Sequence, residues 1–185
     1  VNGNSSTCTA VVTVEDNVAP PAICQDLTVQ LGNTGTGNIN ARLVDNGSND
    51  ACGIASLALT GGNYTCSDVG QTTETLTVTD VNGNVSSCVA NITIEDNVSP
   101  NAVCQDVTVQ LNASGQAFVN ASQVDNGSSD ACGLASLVLS QSQFDCNEVG
   151  SNSVLLAVDD VNGNSGICFA TITVEDNIAP NALCQ

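Results

Sequence analysis

Cys24-Gln-Asp-Leu-Thr-Val-Gln-Leu31 returns eighty residues on as Cys104-Gln-Asp-Val-Thr-Val-Gln-Leu111, and begins a third time at Ala182-Leu-Cys184-Gln185. Within the run, Leu27, Val29 and Leu31 alternate with polar neighbours, which is the period of a half-buried strand. The alternation recurs in Leu76-Thr-Val78 and in Cys88-Val-Ala90-Asn-Ile92-Thr-Ile94. Gly32 to Asn38, Asn46-Gly47, Gly61-Gly62, Val69-Gly70 and Asn82-Gly83 punctuate the stretches between, with no amphipathic helical period among them. The pattern predicts an all-β fold, six or seven short strands to each unit: tandem immunoglobulin-like β-sandwich domains forming an elongated array. Val1-Asn-Gly-Asn4 with Val11-Val-Thr-Val-Glu-Asp-Asn17 matches Val81 to Asn97 and again Val161 to Asn177. The chain therefore reads as a window onto a longer array. Residues 1–17 are expected to end a preceding repeat, 18–97 and 98–177 to be two immunoglobulin-like repeats, and 178–185 to start a following one.

Nineteen acidic residues face a single basic one, Arg42, for a formal charge of −18. Such a surface repels nucleic acid and anionic lipid, and no apolar run is long enough to cross a membrane. Self-repulsion of this size opposes a compact state unless cations sit among the carboxylates. Apolar content of 42 % rules out the profile of a disordered chain, so the sequence is expected to fold. Catalysis is poorly provisioned. His and Lys are both absent, which removes the usual general base and the usual activated nucleophile pairs. Paired carboxylates could hydrolyse glycosides, but Tyr64, Phe118, Phe144 and Phe169 are the only aromatics and fall at core-type positions. No enzymatic role is expected.

The ten cysteines recur in phase, at 8, 88 and 168; 24, 104 and 184; 52 and 132; 66 and 146. Four per repeat in an aromatic-poor unit indicate disulfides and an extracellular, secreted or cell-surface setting, while the close spacings that zinc needs are missing. Four cysteines allow three connectivities. The preferred one joins Cys24 to Cys88, tying the opening strand to the closing one, and Cys52 to Cys66, closing a short loop. The second repeat then pairs Cys104 with Cys168 and Cys132 with Cys146, and Cys8 and Cys184 seek partners elsewhere. Pairing Cys8 with Cys24 is disfavoured, because extended strands leading away from a linker carry the two sulfurs apart.

Glu15-Asp16-Asn17-Val-Ala-Pro20 recurs as Glu95-Asp96-Asn97-Val-Ser-Pro100 and as Glu175-Asp176-Asn177-Ile-Ala-Pro180. Adjacent carboxylates and an amide on a proline-stiffened linker offer the hard oxygens that Ca²⁺ requires; a solvated charged linker is the alternative. In a sandwich of this kind the loops Asp45 to Asp50 and Asp80 to Asn84 should share a pole with the preceding linker. Glu15, Asp16 and Asn17 are thus expected to converge with Asp45, Asp50, Asp80 and Asp26. The second seam would gather Glu95, Asp96, Asn97, Asp106, Asp125, Asp130 and Asp160, and Glu175, Asp176 and Asn177 would serve a third. Asn46-Gly47 and Asn82-Gly83 read as ordinary turn formers. Neither loop is an EF-hand, since Asn91 stands where the bidentate Glu belongs. Asn-x-Ser/Thr sequons at Asn4, Asn46, Asn63, Asn84, Asn91, Asn97, Asn112, Asn120 and Asn126 admit a glycan coat of partial occupancy.

Ala-x-Cys-Gln-Asp-x-Thr-Val-Gln-Leu, Val-Asp-Asn-Gly-Ser-x-Asp-Ala-Cys-Gly, Cys-x-x-Val-Gly, Asp-Val-Asn-Gly-Asn and Cys-x-Ala-x-Ile-Thr follow one another through the whole chain. The unit resembles the hyalin-repeat-like, immunoglobulin-like modules found in tandem in large surface adhesins and filaments of Bacteroidota, some exported by the type 9 pathway. The Glu-Asp-Asn-x-Ala-Pro linker is also similar to the cadherin linker Asp-x-Asn-Asp-Asn-x-Pro, where calcium rigidifies the joint. It has one fewer acidic position, and the chain shows no internal Asp-Arg-Glu motif. The resemblance implies a filament or adhesin stalk stiffened by Ca²⁺ at the joints, partnered by further repeats of the same chain or other copies in a fibril. The alternatives are glycan- or protein-binding repeats acting through avidity, and an accessory array on a secreted hydrolase.

Overall fold

The computed structural model describes residues 2–180. Residues 2–23 form no regular element, and Val11, Val12 and Val14 are exposed, although their alternation is that of a strand. From there the chain builds the same set of elements twice. The first set is β1 (Leu27–Gln30), β2 (Thr36–Asn38), a helical turn α1 (Ala41–Val44), β3 (Ile54–Leu59), β4 (Asn63–Thr65), β5 (Gly70–Asp80) and β6 (Val85–Glu95). The second is β7 (Val107–Gln110), β8 (Gln116–Phe118), α2 (Ala121–Val124), β9 (Leu134–Leu139), β10 (Gln143–Asp145), β11 (Gly150–Asp160) and β12 (Ser165–Glu175). Each set forms a four-stranded sheet, in the order β1-β6-β5-β3 and β7-β12-β11-β9, and a two-stranded one, β2-β4 and β8-β10. The all-β sandwich fold read from the sequence is what the chain adopts.

The long hairpins β5–β6 and β11–β12 are the backbone of each sheet. In β11 and β12, Val154, Leu156, Val158, Ala170, Ile172 and Val174 are buried at every second position, and Leu111, Val119, Val124 and Phe144 complete the core. Each such aliphatic side chain taken out of water contributes about 1.5–3 kcal/mol. The strand β7 runs parallel to β12, with Val107 opposite Ile172 and Val109 opposite Val174, while β9 is antiparallel to β11. Gly83 and Gly163 turn the hairpins at φ +93° and +96°.

Two features depart from the sequence reading. Helical turns stand at 41–44 and 121–124, where only strands and loops were expected. Asn40 accepts a hydrogen bond from the Arg42 amide and Asp45 N–H closes onto the Ala41 carbonyl, so local capping sets the conformation. The disulfides also differ in part. Cys24 is bonded to Cys88 and Cys104 to Cys168, each across 64 residues. Cys66, however, is bonded to Cys132, 66 residues away, which replaces the expected pairs Cys52–Cys66 and Cys132–Cys146. Cys52 and Cys66 fall in different compact units, whereas Cys66 and Cys132 share one. Cys8, Cys52 and Cys146 are free and exposed. Cys184 lies outside the described residues.

Contacts divide the chain into two compact units. One holds the chain before Thr28 together with Ile39–Gly62 and Thr73–Ile92; the other holds Thr28–Asn38, Asn63–Thr72 and everything from Thr93 on. The Cys66–Cys132 bond lies within the second.

Candidate metal centre

Asp96 follows directly on β12's counterpart β6, in a segment with no regular structure. Its Oδ1 accepts from the Val98 amide at 3.1 Å, an Asx turn that fixes the side chain. The Asp96 carbonyl accepts from Asn164 Nδ2 at 3.0 Å, and the same amide donates to Asp160 Oδ2 at 2.7 Å. Asn164 thereby ties the Asp160–Asn164 turn to the segment that carries Asp96. Asp130 is aimed by its own turn, Oδ1 accepting from the Cys132 amide at 2.7 Å. Carboxylate oxygens of Asp96 and Asp130 and the sulfur of Cys132 lie within 4.8 Å of one another. Asp96 is 6 % exposed, and its Oδ2 is buried without a hydrogen-bond partner. Asn162 Oδ1, in the turn that Asn164 ties down, is a second buried acceptor without one.

The first unit builds the same arrangement. Asp16, Asp50 and Cys52 offer ligand atoms within 4.8 Å. Asp16 Oδ1 accepts from Val18 N at 3.1 Å, its carbonyl from Asn84 Nδ2 at 3.0 Å, and Asp50 Oδ1 from Cys52 N at 2.7 Å. Here the sulfur is a thiol. Its hydrogen bond to Asp16, then the negative charges of Asp16, Asp50 and Asp80, push it above the ordinary thiol value.

The structure uses the other expected ligands differently. Asp80 and Asp160 are buried, and each accepts from two amides of its own turn and from the Asn84 or Asn164 side chain. Burial pushes both carboxyls up, and those hydrogen bonds outweigh it, leaving them below the ordinary aspartate value. Asp45 and Asp125 hold Ser48 and Ser128 amides in local turns, and the Ser128 hydrogen bonds lower Asp125. Asp26 accepts from Asn91 N and Nδ2 and Asp106 from Thr171 N, so these two pin the approach to β1 and β7 onto the neighbouring strand; Asn91 holds Asp26 low. Glu95 and Asn97 form a triangle with Gln30, and Glu175 and Asn177 repeat it with Gln110. Asp176 Oδ1 holds the Ile178 amide, and Glu15 and Asn17 are exposed. Of the expected sets, the structure brings together Asp16 with Asp50 and Asp96 with Asp130. Asn84 and Asn164 make the contact to the linker from the loop that the sequence reading set against it, and Cys52 and Cys132 are additions which that reading did not place there. The spacing Asp50-Ala51-Cys52 was the available signal, because an Asx turn over it sets sulfur beside carboxylate.

The donor chemistry at Asp96 and Asp130 fits a hard divalent cation: two anionic oxygens, one of them buried with a lone pair unspent, in a chain whose single basic residue is Arg42. The Cys132 sulfur is spent in its disulfide and supplies no thiolate. Fold and site together define a repeated, disulfide-linked β-sandwich chain with acidic seats between its turns.

No protein-family profile matches the chain, and no curated protein matches it. Among solved structures it is similar to the extracellular domain of protocadherin gamma B4, at 14 % identity and a TM-score of 0.40, over 86 % of this chain and 32 % of that one. It is similar to EC1-2 of human protocadherin-24 at 12 % identity and a TM-score of 0.45, over 87 % of this chain and 100 % of that one. An endo-fucoidan hydrolase of glycoside hydrolase family 107 matches at 18 % identity and a TM-score of 0.26, over 66 % and 28 %. The chain spans about a third of the protocadherin gamma B4 structure.

Proposed function

We propose that this chain is the structural repeat region of an extracellular filament or adhesin stalk, of the hyalin-repeat-like kind, with units 18–97 and 98–177 and calcium stiffening their seams. The observation that carries the reading is the buried, half-partnered Asp96 carboxylate facing Asp130 in a chain of charge −18. Two carboxylates this close repel unless a cation sits between them, and oxygen ligands select Ca²⁺ over softer metals. Asp96 and Asp130 would hold the ion, with Asp16 and Asp50 as the corresponding pair in the first unit. Calcium there supplies the positive charge that the chain lacks. Three disulfides among the described residues of a small β chain support an oxidising, extracellular setting. The test is calorimetric titration of the intact chain with calcium, alongside small-angle scattering with calcium and with chelator. Binding with Kd on the order of 10⁻⁴–10⁻³ M, the range of extracellular modules, that is weakened about tenfold or more at one of the two sites in Asp96→Asn supports the reading. Absence of heat and of any change in scattering overturns it.

A second reading has one observation in its favour. A cavity of about 390 Å³ is lined by Gln116, Phe118, Gln141, Gln143, Asp145 and Glu148, and Phe118 is 53 % exposed. An exposed ring among amides suits a sugar, the binding-module alternative. The corresponding residue of the first repeat is Asn38, so this groove is not repeated along the chain. Loss of polysaccharide retention in Phe118→Ala would establish it.

A further inference from the structure

Among the described residues, two buried side-chain oxygens have no hydrogen-bond partner, Asp96 Oδ2 and Asn162 Oδ1, and one hydrogen-bonded network connects the residues that carry them. Asn162 stands in the turn between β11 and β12. The Asp160 carboxylate holds that turn: its Oδ1 accepts from the Asn162 and Asn164 amides, each at 2.8 Å, and its Oδ2 from Asn164 Nδ2 at 2.7 Å. Asn164 Nδ2 also reaches the Asp96 carbonyl at 3.0 Å. Both of its hydrogens are thereby engaged, and the network leaves Asp96 Oδ2 and Asn162 Oδ1 over.

An asparagine in a turn has two ordinary reasons to be there: its side chain bonds to its own backbone, or its backbone takes a positive φ. Neither holds at Asn162. Its side-chain oxygen accepts no bond, and among the described residues no residue other than glycine has a positive φ; Gly163, at +96°, carries the reversal. A buried acceptor left without a donor costs about 1–3 kcal/mol, and more when the acceptor is charged, as at Asp96. Turn formation therefore explains Asp160, Gly163 and Asn164 and leaves the Asn162 side chain without a role.

We propose that Asn162 Oδ1 is a third ligand to the ion held by Asp96 and Asp130. The inference rests on the calcium reading above and extends it to a residue outside the acidic set. Asp96, 6 % exposed, and Asp130 supply two negative charges, which balance a divalent cation; the amide adds a neutral hard oxygen of the kind Ca²⁺ accepts. The ligands then come from three separate stretches of chain: the segment after β6, the loop before β9, and the β11–β12 turn. Calcium thus fastens the hairpin turn to the Asp96 segment, alongside the hydrogen bond that Asn164 already makes there.

The test is calorimetric calcium titration in an Asp16→Asn background, which keeps an acceptor for the Val18 amide and leaves Asp96 and Asp130 as the intact carboxylate pair. Asn162→Ala should weaken binding by about threefold to tenfold, less than Asp96→Asn does, because the oxygen lost is uncharged. Asn162→Asp puts an anionic oxygen in the same place and should tighten binding by about tenfold. Val161→Asp adds the same charge on an exposed neighbour and should change affinity by less than about threefold. With carbon-13 labelling, the Asn162 side-chain carbonyl resonance should shift in step with the heat. In chelator, Asn162→Ala should melt no lower than the parent, since it removes a buried oxygen that has no donor. Unchanged affinity in Asn162→Ala, with Asp96→Asn weakened, overturns the assignment and leaves the calcium reading standing. So does an Asn162→Asp variant that binds no tighter than Val161→Asp. Absence of calcium binding in the parent overturns both.

Discussion

Asp96 and Asp125 are the same side chain in similar turns, yet one keeps a buried oxygen unspent and the other spends both oxygens on its own loop. Asp96→Asn is therefore expected to weaken calcium binding by about tenfold or more, since it removes one of two anionic ligands. Asp125→Asn should leave calcium affinity alone and cost about 1 kcal/mol from lost charge-assisted hydrogen bonds. Calorimetry and urea melts separate the two. Asp159 gives a pH prediction. It accepts from Ser165 at 2.6 Å and Ser136 at 2.7 Å, which hold its carboxyl below the ordinary value of 3.8. A depressed pKa in the folded state means that the stabilisation is complete above 3.8 and is lost as pH falls through the folded value. Asp159→Asn should thus flatten the acid limb of a melting-temperature profile below pH 3.8. That carboxylates would cluster at the linkers was legible in the chain's charge and spacing. Which of them turn inward to their own backbone was not, because Asp45, Asp80, Asp125 and Asp160 sit in Asn- and Gly-rich stretches where turn capping and metal ligation use the same residue types.

The hairpins β5–β6 and β11–β12 were legible for a different reason: alternation over many residues leaves one face to bury. Their turns were equally plain, since Asn82-Gly83 and Asn162-Gly163 supply the positive φ that the reversal needs. A Cβ on Gly163 would meet nothing within 4 Å, so Gly163→Ala should cost only its backbone strain, about 1–2 kcal/mol. A denaturant melt with an unchanged slope would establish this. The helical turns at 41–44 and 121–124 escaped the sequence reading because four residues are too few to show a period; the cap at Asn40, not the apolar pattern, defines the first. The disulfide register escaped it because separation along the chain says nothing about which end of a strand each sulfur reaches.

At the scale of the molecule, charge and covalent linkage act together. Occupation of the acidic seats at tenfold excess over Kd stabilises by about 1.4 kcal/mol per site, so calcium should raise the melting temperature and chelator should lower it most at low salt. Cys66→Ser with Cys132→Ser removes a loop closure that chain entropy values at about 4 kcal/mol. The turn that aims Asp130 should persist, because its hydrogen bond comes from the backbone amide of Cys132. The Cys104–Cys168 bond and its sheet should persist in that variant, as a disulfide map would show. The three bonds overlap in sequence: 24 to 88, 66 to 132, and 104 to 168. Every peptide bond between Cys24 and Cys168 is therefore bridged by at least one of them, and the stretch from 88 to 104 is bridged, among the described residues, by Cys66–Cys132 alone. A protease that cuts once anywhere in that span nicks the molecule without severing it, and the fragments separate only when the sulfurs are reduced.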